Sequence, residues 1–237
     1  MTDITNLSTV NVAISNYIAV VTMNNPPVNA QNRQFHDDLT LAFDVLSDRN
    51  DVRSIVLTGA GKCFSAGADI KGRASQESDL GDHWVHSRRV RECFYSIMEC
   101  RKPVIAAING AALGAGLAVA ASADILIASE SASVGLPEIN VGLLGGGRHA
   151  MRLFGHSKTR RLMLTGQRLS GAELYRLGIV EECVPDDDLM RAALEIAEEL
   201  ASKSPVAMSL AKETLNAIEE MALRDGYRYE QNKTGEL

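Results

Sequence analysis

The stretch from Asn109 to Asp124, NGAALGAGLAVAASAD, holds seven alanines and three glycines, and its only charged side chain is the closing Asp124. Side chains this small cannot fill a core by bulk. Their physical value is that they let another backbone come close. After Gly114 the segment is apolar all round, which predicts a short helix buried on every side. The start of a helix leaves several backbone N–H groups without intrahelical acceptors, and the macrodipole adds partial positive charge there. Gly114, Ala115 and Gly116 would then present donors that no side chain shields. A tightly packed core helix accounts for the same composition, so the segment alone does not choose between packing and binding.

The rest of the chain supplies a core for such a helix to enter. With 237 residues, 46% of them hydrophobic, there is enough apolar surface for one large domain or two small ones. A balance of 24 basic against 30 acidic residues, net −6, argues against a general nucleic-acid or anionic-membrane surface. Cys63, Cys93, Cys100 and Cys183 form no CxxC pair, so neither a zinc site nor a disulfide framework is expected, and reduced cytoplasmic thiols are the simple reading. No stretch offers about eighteen uninterrupted apolar residues, and the amino terminus lacks a basic flank followed by an apolar run.

Period-2 alternation over Val10–Ser15 and Ile18–Met23, split by Asn16 and Tyr17, predicts a hairpin. Phe35, Leu39, Phe43 and Leu46 recur at helical spacing within 32–46, and RSIVLT over 53–58 reads as a buried strand. Polar residues 72–82 read as a loop before a helix over 84–100. Val104–Ile108 and 124–128 read as further buried strands flanking the small-residue segment. In the last third, Ser170 and Glu173 form a capping-box pattern with Gly178 at the helix end. Residues 179–184 suit a short strand. Asp186, Asp187 and Asp188 precede an amphipathic run through Leu189, Ala193, Ile196 and Leu200. Ser204 and Pro205 then open a helix whose expected buried face is Ala207, Leu210, Ala211, Thr214, Ile218 and Met221.

Two more segments invite chemistry. GKCFSAGADIKG, Gly61–Gly72, ends an apolar strand in a turn of small residues followed by Asp69 and Lys71. Two such turns at neighbouring strand ends could aim two backbone N–H donors at one carbonyl oxygen, the requirement of an oxyanion hole. SVGLPEINVGLLGGG, Ser133–Gly147, encloses a lone carboxylate, Glu138, in apolar surroundings. Burial would raise its pKa and suit it to proton transfer; backbone donors or an arginine could equally satisfy it as a structural group. The glycines around Gly114 fail as a dinucleotide fingerprint because Val119 stands at the last glycine, and no GxxxxGK[ST] phosphate loop exists. His83 and His86 stand three apart, yet no third ligand is near them.

In order and spacing these segments resemble the enoyl-CoA hydratase/isomerase, or crotonase, family. The resemblance runs from the hairpin through NPPVNAQN, RSIVLTGAGKCFSAGADIK, KPVIAAINGAALGAG, LPEINVGLLGGG and LTGQRLSGAELYRLGIVEECVP, which is nearly the whole chain. It implies an α/β fold, a spiral of ββα units over 1–170, with a helical trimerisation region over 171–237 that lacks the family's last helix and basic tail. It implies homotrimers or hexamers, an acyl-CoA thioester substrate, no metal, and no cofactor beyond the coenzyme A of the substrate.

Matched residue by residue, the oxyanion donors would be the N–H groups of Ala68 and Ala115, with Ala66, Gly67, Asp69, Ile70, Lys71 and Gly114 completing the substrate-binding turns. Family hydratases carry one glutamate in a GxGxE segment and a second in a later PE dipeptide. Here the second is Glu138, and Ala118 stands at the first. Hydration needs both an activated oxygen nucleophile and a delivered proton, whereas moving a double bond needs one base that takes and returns a proton. The single glutamate, with the PPVN motif, therefore implies an isomerase pattern. Glu77, Asp79 or Asp82 could restore a second acid and hydratase chemistry, His149 could be a further group, and a CoA-binding member with little catalysis is the other alternative.

Overall fold

The computed structural model describes Ile4, residues 7–70, Gly72 and residues 80–237. Strands β1 (Val10–Ser15) and β2 (Ile18–Met23) form the predicted hairpin, pairing Val10 with Met23 and Ser15 with Ile18. Its two-residue turn puts Asn16 and Tyr17 at positive φ, 49° and 65°, the twist a tight hairpin demands. Tyr17 is held there from both sides: its carbonyl accepts the Arg53 N–H at 2.7 Å, and the Arg53 guanidinium sits 4.1 Å from its ring centre.

The chain then winds as a spiral in which each turn gives one strand to a large sheet and one to a small sheet. After β3 (Ala30–Gln31) and helix α1 (Arg33–Asp48) come β4 (Ser54–Gly59), β5 (Cys63–Ser65), β6 (Gly67–Ala68) and α2 (Leu80–Met98). The next turn is β7 (Val104–Ile108), β8 (Ala111–Leu113) and α3 (Ala115–Ala121). The third is β9 (Ile125–Ser129), β10 (Ser133–Gly135), a 3-10 turn over Pro137–Val141, α4 (Gly147–Leu153) and α5 (His156–Thr165). Then follow β11 (Arg168–Ser170), α6 (Gly171–Arg176), β12 (Cys183–Val184), α7 (Leu189–Ala201), α8 (Pro205–Ile218) and α9 (Leu223–Thr234). The large sheet runs β1-β2-β4-β7-β9-β12 and the small one β11-β10-β8-β5, while β3 and β6 pair on their own.

In the middle of the large sheet, at β4, β7 and β9, both faces are covered, which explains their uninterrupted apolar runs. In β4, Ile55 and Leu57 enter the main core with Phe35, Leu39, Phe43 and Leu117, while Val56 between them points to the opposite face. There α7 packs Leu189, Ala192, Ala193, Ala197 and Ala201 against Ile105 and Ile127. The innermost stripe of α7 is alanine, with Ile196 and Leu200 only partly buried, because the helix lies close on the sheet. Ser54 fixes it by donating to the Ala197 carbonyl at 2.9 Å.

Several boundaries and one face depart from expectation. Of the loop expected over 72–82, residues 73–79 lie outside the described residues; helix α2 already includes Leu80, with Asp82 in its first turn, where negative charge suits the dipole. Over 179–184 only Cys183 and Val184 pair as a strand. Of the face expected on helix α8, Thr214 is buried and Ala207, Leu210 and Ile218 are half-buried, but Ala211 and Met221 are exposed, and Lys212, outside that face, is buried. Helix α9 was not read from the sequence as a separate element. Among the described residues no helix is long and apolar enough to cross a membrane.

Candidate active site

The small-residue segment is where three separate pieces of chain converge. Its amino-terminal end is laced to the preceding spiral turn by Asn109, whose side chain donates to the Gly59 and Gly61 carbonyls at 2.8 and 3.0 Å and accepts the Gly59 N–H at 3.2 Å. The backbone then becomes β8, a short strand the sequence did not reveal, before Gly114 turns it into α3 with φ of 57°. From Gly116 to Ala121 the helix is wholly buried.

Glycine is required here by space. A methyl group on Gly116 would overlap the Ser65 carbonyl, and one on Gly114 would overlap the Glu138 carboxylate. A methyl group on Gly67, itself at φ 88°, would lie 2.5 Å from the Leu113 carbonyl and 3.2 Å from the Ala115 nitrogen. The turn carrying Ala68 thus abuts the backbone carrying Ala115. Gly67 and Gly114 are buried, Ala68 is exposed and Ala115 half-buried, so these two backbone positions border solvent-accessible space. First-turn N–H groups of a helix have no intrahelical acceptor, which makes the Ala115 N–H available in principle to an incoming oxygen.

Glu138 enters from the third spiral turn. It sits in the 3-10 turn, which opens at Pro137 and closes at Gly142, and its backbone carbonyl accepts from Gly142 and Leu143. Its Oε1 lies against Gly114 and near Gly145, while Oε2 is buried with no hydrogen-bond partner. Burial holds the acid above the usual glutamate range. Gly145 and Gly146 are the residues sequence reasoning did not assign: Gly146, at φ 71°, brings the loop against Leu136 and the Gly114 carbonyl. The triple glycine at 145–147 was the available signal.

Other candidates take different positions. Asp69 is half-buried, and its carboxylate accepts the Gly72 N–H at 2.9 Å, closing its own turn. Ala66 and Ile70 are exposed beside it, and Lys71, Glu77 and Asp79 lie outside the described residues. His149 packs edge-on against Phe94 with ring centres 4.9 Å apart, and burial, with Arg152 and Arg148 nearby, pushes its pKa down. Ala118 is fully buried one helical turn after Gly114, its N–H donating to the Gly114 carbonyl at 3.1 Å. Among the described residues no group of three or more His, Cys, Asp or Glu could hold a metal ion.

The sheet-and-helix spiral is that of the crotonase-type α/β enzymes. The sequence profile of the enoyl-CoA hydratase/isomerase family matches residues 13–236, and the chain belongs to that family of acyl-CoA enzymes. It is 37% identical, over 90% of its length and 77% of the relative's, to a probable mitochondrial enoyl-CoA hydratase of Dictyostelium discoideum. It is also 37% identical, over 93% of its length and 89% of the relative's, to the (7aS)-7a-methyl-1,5-dioxo-2,3,5,6,7,7a-hexahydro-1H-indene-carboxyl-CoA hydrolase of Mycobacterium tuberculosis. The crystal structure of an enoyl-CoA hydratase from Bacillus anthracis superposes with a TM-score of 0.91 at 31% identity, covering 96% of this chain and 90% of that one.

Proposed function

We propose that the protein moves a carbon–carbon double bond in an enoyl-CoA thioester, with Glu138 as its one acid/base and the N–H groups of Ala68 and Ala115 as the oxyanion hole. The observation that carries the reading is the Glu138 carboxylate, desolvated and with an unpartnered oxygen, lying against the residue that precedes Ala115. With a thioester oxygen between the two N–H groups, negative charge developing on that oxygen is stabilised, which acidifies C2. Glu138 takes the C2 proton of a 3-enoyl thioester, the electron pair spreads through the enolate to C4, and the protonated acid returns its proton there. A carboxyl pKa raised by burial brings acid and base forms nearer balance, which suits a group that must act as both. The chemistry needs neither metal nor redox cofactor. Hydration would need a second group to activate water, and Ala118 supplies none. We further propose that the enzyme works as a homotrimer or hexamer in the cytoplasm.

The test is to follow trans-3-enoyl-CoA isomerisation and trans-2-enoyl-CoA hydration with the same preparation. Isomerisation is expected to exceed hydration and to fall by about 10² to 10⁴-fold in Glu138→Gln; hydration at full rate in that variant would overturn the assignment. Ala68→Pro, which removes the N–H itself, should cost about 3 to 4 kcal/mol of transition-state stabilisation. A second reading, hydrolysis of an oxo-substituted acyl-CoA, is favoured by the equal identity to the named hydrolase. Solvent oxygen-18 appearing in the product of such a thioester would favour it.

A further inference from the structure

Behind the Gly67–Ala68 turn runs a chain of buried polar side chains that the chemistry above does not use. Gln31, on β3, is the register partner of Ala68 and accepts the Asp69 N–H on its carbonyl at 3.1 Å. Its side-chain amide lies inside, donating through Nε2 to the Ser65 hydroxyl at 3.1 Å while Oε1 meets His36 Nε2 at 3.4 Å. The Ser65 hydroxyl donates to the Asn29 carbonyl at 2.8 Å and accepts the Gly67 N–H at 3.3 Å. All three side chains are buried, Gln31 with 2% of its surface exposed, His36 with 1% and Ser65 with none.

The polarity of this chain is set from its far end. Burial first, then the neighbouring His86 and Arg89 against the opposing pull of Asp37, lowers the His36 pKa to about 4, so the ring is neutral through the physiological range. A neutral ring whose Nε2 donates to Oε1 turns the Gln31 amide so that its NH2 faces Ser65. Nδ1 is then the lone-pair nitrogen, consistent with its lack of a partner. Ser65, receiving two donors, directs its own proton to Asn29. Its backbone carbonyl meanwhile abuts Gly116, one residue beyond Ala115. One residue therefore touches both turns that carry the candidate donors.

We propose that His36, Gln31 and Ser65 form a positioning network that fixes the aim of the Gly67–Ala68 backbone relative to Ala115, with His36 and Gln31 acting through Ser65 and none of them touching substrate. The catalytic consequence rests on the oxyanion-hole reading; the ordering of the turn does not. Gln31→Leu removes both amide contacts at similar volume. The turnover number for enoyl-CoA should fall on the order of tenfold to a hundredfold, since small misplacements of an oxyanion donor are costly, with KM moving less than about twofold. The infrared carbonyl stretch of a bound, unreactive thioester should move back toward its free-solution value. In the ligand-free protein, amide hydrogen exchange across residues 66–69 should quicken by about tenfold. His36→Phe keeps the ring's shape and removes its nitrogens; it should give the same pattern with smaller amplitude, and it decides the matter if Gln31→Leu does not fold. Exchange at 66–69 unchanged in a folded variant overturns the network. If the parent protein neither turns over enoyl-CoA nor shifts the thioester carbonyl, the functional reading falls, and the exchange measurement still decides for or against the ordering of the turn.

Discussion

At the start of α3 a carboxylate lies against backbone with one oxygen buried and unpartnered, whereas just past the end of the same helix another carboxylate is held by a backbone N–H and a lysine. Asp124 accepts the Val104 N–H at 2.7 Å and pairs with Lys212 at 2.8 Å through the same oxygen, Oδ2. Lys212 Nζ also donates to the Ile97 and Lys102 carbonyls, each at 3.1 Å. Nearby, Arg152 caps the helix by donating to the Ala121 carbonyl at 2.6 Å while holding Glu219. One end of the segment is a polar joint that fastens α8 to the spiral; the other leaves a desolvated acid against the Gly114 backbone. A buried polar group without a partner costs stability, so Glu138 weakens the fold at the end of the segment where the proposed chemistry would use it.

Breaking the contrast at the Glu138 end should give the largest effect. Glu138→Gln is expected to lower enoyl-CoA turnover by about 10² to 10⁴-fold, the usual yield of a positioned acid/base, with unfolding midpoints in urea unchanged or raised. Lys212→Met attacks the other end. It strands Asp124 without its cation and should destabilise by about 3 kcal/mol, toward the low end for a buried pair because the Asp124 side chain keeps 27% of its surface exposed. Urea unfolding measures this loss, and the folded fraction should keep its kcat. Gly114→Ala probes whether close approach is the point of the small residues. The added methyl overlaps the Glu138 carboxylate and sits at positive φ, so kcat should drop by roughly a hundredfold with about 1 to 2 kcal/mol of stability.

The smallest expected effect is in pH dependence. The native pKa of Glu138 is raised, so the folded protein holds that proton more tightly than the unfolded chain does. Its contribution to stability therefore falls as pH rises from the ordinary glutamate range through the folded value. Turnover that needs the carboxylate form rises over the same window. Paired pH profiles of kcat/KM and of urea midpoints should show these opposite slopes, and Glu138→Gln should flatten both.

The hairpin, α1, the buried strands β4, β7 and β9, and the capped helices α6 and α8 were legible because their signals are local. They rest on a period of two or of 3.6, and on Ser170 and Ser204, whose side chains accept the Glu173 and Ala207 N–H groups at their helix starts. The buried face of α8 was legible only in part, and the burial of Lys212 was hidden for a definite reason. A lysine is assigned outward by periodicity, and only Asp124 with two carbonyls from distant segments makes its burial tolerable. Strand β8 was hidden because alanine and leucine carry no strand preference, and its partners β5 and β10 lie far away in sequence.

The candidate site divides in the same way. Small residues at 66–68 and 114–116 and a carboxylate alone among apolar neighbours were visible in the sequence, and with their order they were enough to show the family. That Gly67 meets Ala115, that Glu138 lies on Gly114, and that Gln31 and His36 stand behind the turn depended on the spiral closing. The sequence by itself determined which stretches could come close, since a missing Cβ is a local property. Only the tertiary structure decided which of them do, because the contacts join successive turns of the spiral, and which carboxylate stays unpartnered depends on what those turns bring within hydrogen-bond reach.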